Sequence, residues 1–218
     1  MQVYSILVAV DQKYYDNWAI SLFESIHFYV PWLKIRCHVV NPINLKKLPF
    51  VDYTTEIIKF ENEDSRLAYL QAARFLAVSK LPTTECILTL DADTICCKKF
   101  TKDDFIKLFN KQYISQKDKK PDRWLCGFIS FGNNNFRYEY ARLLNADPIP
   151  TWKFGRDQKV LSKMRDNYSF VPTESKWLSF GKNGRNSIFL TLKGDQKDTN
   201  KYLKIYRDFK KLSMNKKL

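Results

Sequence analysis

Over roughly its first ninety residues the chain alternates short apolar runs with stretches of helical periodicity, and that alternation leaves few architectures open. Gln2 to Val10 is rich in Val, Ile and Leu and reads as a buried strand that ends at Asp11. Tyr14 to Tyr29 places Trp18, Leu22, Ile26 and Tyr29 on one helical face. Ile35 to Val40 and Thr54 to Phe60 read as two further strands, with Pro42 and Pro49 in the loop between them. Asp64 or Ser65 then caps a helix that runs to about Ser79, with Tyr69, Ala73 and Leu76 on one face. Leu81-Pro82 ends it, and Cys86 to Leu90 forms a fourth apolar run. The order βαββαβ predicts an α/β domain with a mostly parallel central sheet flanked by helices.

The second half is less regular. Asp103 to Gln112 reads as a helix, Gln116 to Arg123 as a charged loop, and Trp124 to Phe131 as a strand that ends in Gly132 and the turn-forming Asn133 to Asn135. Helices are expected over Phe136 to Leu144 and Asp157 to Arg165, with Pro148 and Pro150 in the loop between them, and a last strand over Ile188 to Leu192. From Thr199 the tail carries Tyr202, Ile205, Phe209 and Leu212 on one helical face and Lys201, Lys204, Arg207 and Lys211 on another. This is a basic amphipathic helix. The reading is one domain over residues 1–198 and a tail over 199–218, at a length and an apolar fraction (218 residues, 44% hydrophobic) that exclude disorder as the main state.

The sharpest chemical signal is Ile87-Leu88-Thr89-Leu90-Asp91-Ala92-Asp93. Residues i and i+2 of an extended chain point to the same side, so Asp91 and Asp93 offer two hard oxygen ligands at a strand's carboxyl end, where open α/β sheets bind ligands. A divalent cation held by one or two carboxylates plus substrate phosphates is the arrangement usual for Mg²⁺. A bare pair of this kind also fits a solvated turn. The aspartyl-nucleophile phosphatase pattern, in which such a pair follows a strand too, fits less well: that strand opens its domain, and the hydroxyl expected two positions after the second Asp is Ile95. No GxGxxG or GxxxxGK[ST] occurs, so any nucleotide is held by another device.

Taken in order, these features resemble a nucleotide-sugar glycosyltransferase of GT-A (Rossmann-like) fold. They are Val8-Ala9-Val10-Asp11, Tyr69 with Arg74-Phe75, Asp91-Ala92-Asp93, Gly127-Phe128 with the asparagines, and Asp157-Gln158 followed by Leu161. The likeness is nearest to small glycosyltransferases of large bacteriophages and more distant to the glycogenin and lipopolysaccharide glucosyltransferase group. It implies that Asp93 binds Mn²⁺ or Mg²⁺ directly and that Asp91 contacts the metal or the donor ribose. Asp11 would lie beside the nucleobase and Arg74 near the donor, a nucleotide-sugar expected to be UDP-linked. Related enzymes carry a C-terminal HxxGxxK segment with a His metal ligand. Here Thr191 to Lys197 keeps Gly194 and Lys197 but has Thr191 in place of the His, and Lys193 and Lys197 would supply charge to the diphosphate. Asp157 is expected nearest the reacting sugar, as general base if the reaction inverts, whereas Asp157 or Gln158 would orient substrate if it retains. His27 and His38 fall in expected core elements and read as structural, and Cys96 and Cys97 read as packing residues.

Charge bears on the acceptor. The net charge is +14, and residues 193–218 alone carry nine Lys/Arg against three Asp. A second cluster comprises Lys117, Lys119, Lys120 and Arg123. The positive field draws in phosphates. The bacteriophage likeness points to a modified DNA base as acceptor, for which Trp152 or Trp177 would serve as wedges if they stood in loops. Two alternatives share the basic tail: docking on an anionic membrane to reach lipid-linked or surface glycans, and a non-enzymatic nucleic-acid-binding module. The N-terminal MQVYSILVAVDQ has neither a basic n-region nor a cleavage site, and no apolar run is long enough to cross a bilayer. Five cysteines, an odd number without CxxC spacing, fit a reducing compartment, so a cytoplasmic protein is expected.

Overall fold

The computed structural model describes residues 2–117, 120–132, 135–165, 167–180, 187–191 and 204–211, with backbone alone for 115–117, 120–123 and 180. Strand β1 (Val3–Asp11) pairs in parallel with β2 (Lys34–Val40) on one side and β4 (Glu85–Leu90) on the other, and β3 (Val51–Glu56) adds to β2 in parallel. On the far side of β4, β7 (Lys120–Phe131) runs antiparallel to β4 and to β6 (Gln112–Lys117), and β8 (Phe170–Pro172) adds to β6 in parallel. The order is β3-β2-β1-β4-β7-β6-β8. A second sheet of three short strands, β5 (Thr94–Cys96), β9 (Leu178–Phe180) and β10 (Phe189–Thr191), runs in the order β5-β10-β9. The mostly parallel α/β core expected from the sequence is present.

Side chains of a strand alternate between its faces, and here each face is buried under helices. Ile6, Val8 and Val10 of β1 join Leu88 and Leu90 of β4 against Leu22, Phe23 and Ile26. Those three belong to α2 (Ile20–Tyr29), which follows a short α1 (Gln12–Tyr14) and a π turn at Tyr15–Ala19. Leu7 and Ile87 point the other way, into the layer of α3 (Glu63–Ser79), α5 (Phe136–Leu144) and α6 (Arg156–Met164). Buried charge is tied down rather than left loose. Glu85, 3% exposed, accepts from Arg36 at 2.6 and 2.8 Å and from Ser5 at 2.6 Å. Arg137, 1% exposed, donates to the carbonyls of Pro82, Glu85 and Gly132 and so fastens α5 to β4 and the end of β7.

Several boundaries differ from the sequence expectation. Asn62, not Asp64 or Ser65, caps α3, its side-chain oxygen accepting from Ser65 N at 2.8 Å. The third strand lies three residues earlier than expected because Asn41 bonds both N–H and C=O of Ile58, which takes the chain out of the ladder and leaves Ile57 exposed. The helix expected over 103–112 is α4 (Lys102–Lys107), capped by Thr101, and Gln112 already begins β6. Of the charged segment 116–123 expected as a loop, residues 116–117 end β6 and 120–123 begin β7, which pair antiparallel, and residues 118–119 lie outside the described residues. In the tail, residues 204–211 are helical, and their apolar face is spent on the body of the protein. Phe209 packs edge-on against Phe28 with ring centres 5.3 Å apart, and Tyr206 donates to Glu24. Among the described residues no helix is long and apolar enough to cross a membrane.

Candidate active site

The parallel register of β1 and β4 brings Asp11 and Asp91 to one edge of the sheet, at the strands' carboxyl ends. Beyond Leu90 the chain turns: Asp91 N donates to Gly127 O at 3.2 Å, and Thr94 N donates back to Asp91 O. That turn sets β5 apart from the main sheet. The pairing of β5 with β10 then places Thr191 opposite Thr94, and the Thr191 hydroxyl donates to Asp93 Oδ1 at 3.4 Å. Thr191, the position at which the resemblance implies a His, therefore reaches Asp93.

Arg74, on the buried face of α3, donates through Nη1 to Asp91 Oδ1 at 2.5 Å. Asp157, on the first turn of α6, is 2% exposed and accepts from Gln158 N at 2.8 Å. Gly155 sets up that turn. At φ +80° it occupies the left-handed region where a side chain is strained, and its N–H donates to Gln71 of α3. The charges interact across these elements. Burial lowers the proton affinity of Arg74, but the carboxylates of Asp91 and Asp157 outweigh it and hold the guanidinium charged. Burial raises the pKa of Asp157 above the ordinary aspartate value, against the opposing pull of Arg74, the Gln158 amide and Cys126, and Asp91 adds to the rise.

The structure thus brings Arg74, Asp91, Asp93, Asp157 and Thr191 to the carboxyl edge of the sheet. Gln158 is half-buried beside Asp157. Asp11 stands on the neighbouring strand, where it caps α1 through Tyr14 N and pairs with Arg66 at 3.1 Å. Lys193, Gly194 and Lys197 lie outside the described residues. Neither histidine is near: His38 bonds Thr54 and Glu56 in the sheet. His27, expected in the core, is instead exposed and stacks flat on Phe50. Trp152 and Trp177 are 1% and 3% exposed and packed, so neither is a loop wedge. Burial also keeps Cys96 a packing residue. Three contributors had no sequence signal that singled them out: Arg66 beside Asp11, and Cys126 and Tyr140 beneath Asp157. Only the amphipathic spacing of α5 marks Tyr140 as inward-facing.

Among the described residues no group of three or more His, Cys, Asp and Glu side chains converges as a metal cage. The donor set at the strand end is instead two hard carboxylates, which fits Mg²⁺ or Mn²⁺, ions commonly held by one or two carboxylates with diphosphate and water completing the sphere. Each carboxylate also has a protein partner, Asp91 the Arg74 guanidinium and Asp93 the Thr191 hydroxyl.

No protein-family model matches the sequence, and no curated protein matches it. Solved structures do. The galactosyltransferase LgtC, in complex with donor and acceptor sugar analogues, superposes with a TM-score of 0.61 at 11% identity over 94% of this chain and 95% of that one. An LgtC with an active-site glutamine changed to glutamate gives 0.58 at 10% identity, with the same coverage. The bifunctional glycosyltransferase WbbM, without ligand, gives 0.62 at 13% identity over 94% of this chain but 50% of WbbM, so the chain corresponds to half of that protein. At such identities the likeness is one of fold, and the fold of this chain is that of the GT-A glycosyltransferases.

Proposed function

We propose that this chain is a glycosyltransferase that moves a sugar from a nucleotide donor, UDP-linked, to an acceptor hydroxyl with the help of Mn²⁺ or Mg²⁺. The observation that carries the reading is the convergence of Arg74, Asp91 and Asp157, from three separate elements, at the carboxyl edge of β4, with Asp93 two residues on. A catalytic site of this kind is recognised by perturbed charged groups at the switch point of an α/β sheet.

Asp93, with Asp91, would hold the divalent ion. When bound, the ion supplies Lewis-acid stabilisation of the charge that develops on the departing nucleoside diphosphate. Asp11, on the neighbouring strand and at the start of α1, would meet the nucleobase, and Lys193 and Lys197 the diphosphate. Arg74 presents its guanidinium between two acids and orients the donor sugar by hydrogen bonding. Asp157 is 2% exposed, accepts from the Gln158 amide and feels the Arg74 charge, so its role is to hold Arg74 and not to take the acceptor proton as a general base. Gln158 is then the side chain of that pair left to meet substrate, in keeping with an active-site glutamine in LgtC.

For the acceptor, the net charge of +14 favours a polyanion, DNA before an anionic membrane, because the apolar face of helix 204–211 is packed against Phe28 and Tyr29. Base extrusion by Trp152 or Trp177 is not part of the proposal. The test is turnover: a panel of nucleotide-sugars with Mn²⁺ or Mg²⁺, read as nucleoside diphosphate released with and without DNA bearing hydroxylated bases. Release from one donor, abolished by Asp93→Asn, supports the reading. Equal background release by the native protein and by Asp93→Asn across the panel refutes it.

A further inference from the structure

The helix at 204–211 divides its surface in two. Its inner side is held by the body of the protein: Ile205 and Tyr206 pack into the cluster of Ile95, Leu190 and Trp18, Phe209 is 5% exposed against Phe28 and Tyr29, and Lys210 pairs with Glu24 at 2.5 Å. Its outer side is basic. Lys204, Arg207 and Lys211 are exposed, and their spacing along the helix puts them in one stripe within about 60° of its circumference. Asp208, also exposed, offsets one of the three charges. From end to end the stripe covers about 10 Å, a length of duplex axis that carries about six phosphate charges.

The stripe adjoins the candidate site. Ile95 and Leu190, which seat the helix, are next in sequence to Thr94 and Thr191, the pair at which β5 and β10 meet beside Asp93. Cys97 belongs to the same cluster and leads into the exposed Lys98 and Lys99. Cations from two distant parts of the sequence therefore border one apolar cluster. An amphipathic helix that lies in a membrane gives its apolar face to the lipid. Here that face is spent on Phe28 and Tyr29, so charge is what the outer side offers, and a polymer of phosphates is its match.

We propose that Lys204, Arg207 and Lys211, with Lys98 and Lys99 beyond them, form a docking surface for the phosphate backbone of duplex DNA, which holds the polymer next to Asp93 whatever its sequence. That the docked DNA serves as acceptor rests on the transferase reading; the docking itself does not.

The test removes the stripe with Lys204→Gln, Arg207→Gln and Lys211→Gln together, which leaves the docked side of the helix untouched and keeps good helix formers. The control, Lys80→Gln with Lys107→Gln and Lys111→Gln, takes the same charge from exposed positions at the opposite, amino edge of the sheet. Binding of a labelled duplex is read by fluorescence anisotropy between about 50 and 300 mM NaCl, where log K falls with log salt by about 0.9 for each phosphate contact. The expected result is a slope flatter by about 2–3 in the stripe variant, with binding at about 0.1 M salt weakened roughly a hundredfold, and a slope changed by less than about 1 in the control. Each substitution of the stripe made singly should flatten the slope by about 1. An unchanged slope in the stripe variant, an equal loss in the control, or tighter binding to vesicles of phosphatidylserine and phosphatidylcholine than to the duplex at the same salt overturns the proposal. Duplex bound through the stripe by a protein that turns over no donor removes the transferase reading alone. Turnover on an acceptor other than DNA, with no duplex bound, removes the docking surface alone.

Discussion

Replacing Arg74 by methionine should be among the most damaging single changes at the site, and its cost should depend on pH. Arg74 is 8% exposed, bonds Asp91 at 2.5 Å and carries the charge that opposes the raised pKa of Asp157. Methionine keeps most of the length and removes the charge that one deeply buried and one half-buried carboxylate face. Removing one partner of a buried pair costs about 3–5 kcal/mol, and the partial exposure of Asp91 puts this case near 3. At about 2–4 °C per kcal/mol for a chain of this length, Tm at pH 8 should fall by about 6–12 °C. The sign of the pH dependence follows from Asp157. Folded, it holds its proton above the ordinary 3.8, so the native state binds more protons than the unfolded one in the interval above that value, and stability falls as pH rises through it. Without Arg74 the native proton affinity climbs further and the fall extends to higher pH. The deficit of Arg74→Met should accordingly be largest at pH 8 and shrink by pH 5, as measured by thermal unfolding in parallel buffers. Arg66→Met, which removes a pair one-third exposed on the arginine side, is the control and should cost no more than about 1 kcal/mol. A Tm for Arg74→Met within 2 °C of native at pH 8, or the same deficit at both pH values, would refute the reasoning.

Two further changes test the frame around the site. Gly132→Ala would put a Cβ 3.0 Å from the backbone oxygen of Phe109, which a backbone cannot yield cheaply, so the urea midpoint should drop by the equivalent of about 1–3 kcal/mol; an unchanged midpoint would contradict the close approach of the chain after β7 to the turn after α4. Phe209→Ala removes the aromatic contact with Phe28 and Tyr29, so tryptic cleavage at the lysines of 204–211 should speed up about tenfold as the undocked population rises, and an unchanged rate would mean that the tail is held elsewhere.

The parallel half of the fold was legible because local signals agree there. β1 and β4 carry short apolar runs, β2 alternates apolar with polar residues before Val39 and Val40, and Asp91 and Asp93 stand where the β4 run stops. Helix α5 kept its expected bounds for the same reason, an unbroken amphipathic face. The small sheet was not fully legible, since Thr94–Cys96 finds its partner in Phe189–Thr191, almost a hundred residues on, and a three-residue strand carries no periodicity of its own. The β6–β7 hairpin was hidden by charge: Lys117, Lys119, Lys120 and Arg123 read as loop, whereas hydrogen bonding from β7 makes 112–117 a strand. The π turn at Tyr15–Ala19 was equally invisible, being fixed by tertiary bonds from the Tyr15 hydroxyl to Lys46 O and Tyr53. At the site, Asp91 and Asp93 could be named from spacing, whereas Arg74 and Asp157 came from the glycosyltransferase resemblance. That Asp157 faces inward, and that Tyr140 holds its carbonyl, could not, because both depend on how α5 and α6 pack.

The central claim is a nucleotide site completed by a metal at Asp93, and ligand-induced stabilisation tests it most directly. Tm is measured with UDP, with Mn²⁺ and with both, on the native protein and on Asp93→Asn. A ligand at 100 times its dissociation constant adds about 2.7 kcal/mol, or about 5–11 °C at this size. The account predicts a rise with both ligands greater than the two separate rises added together, and no such excess in Asp93→Asn. No shift with any combination, or an identical excess in Asp93→Asn, would contradict it.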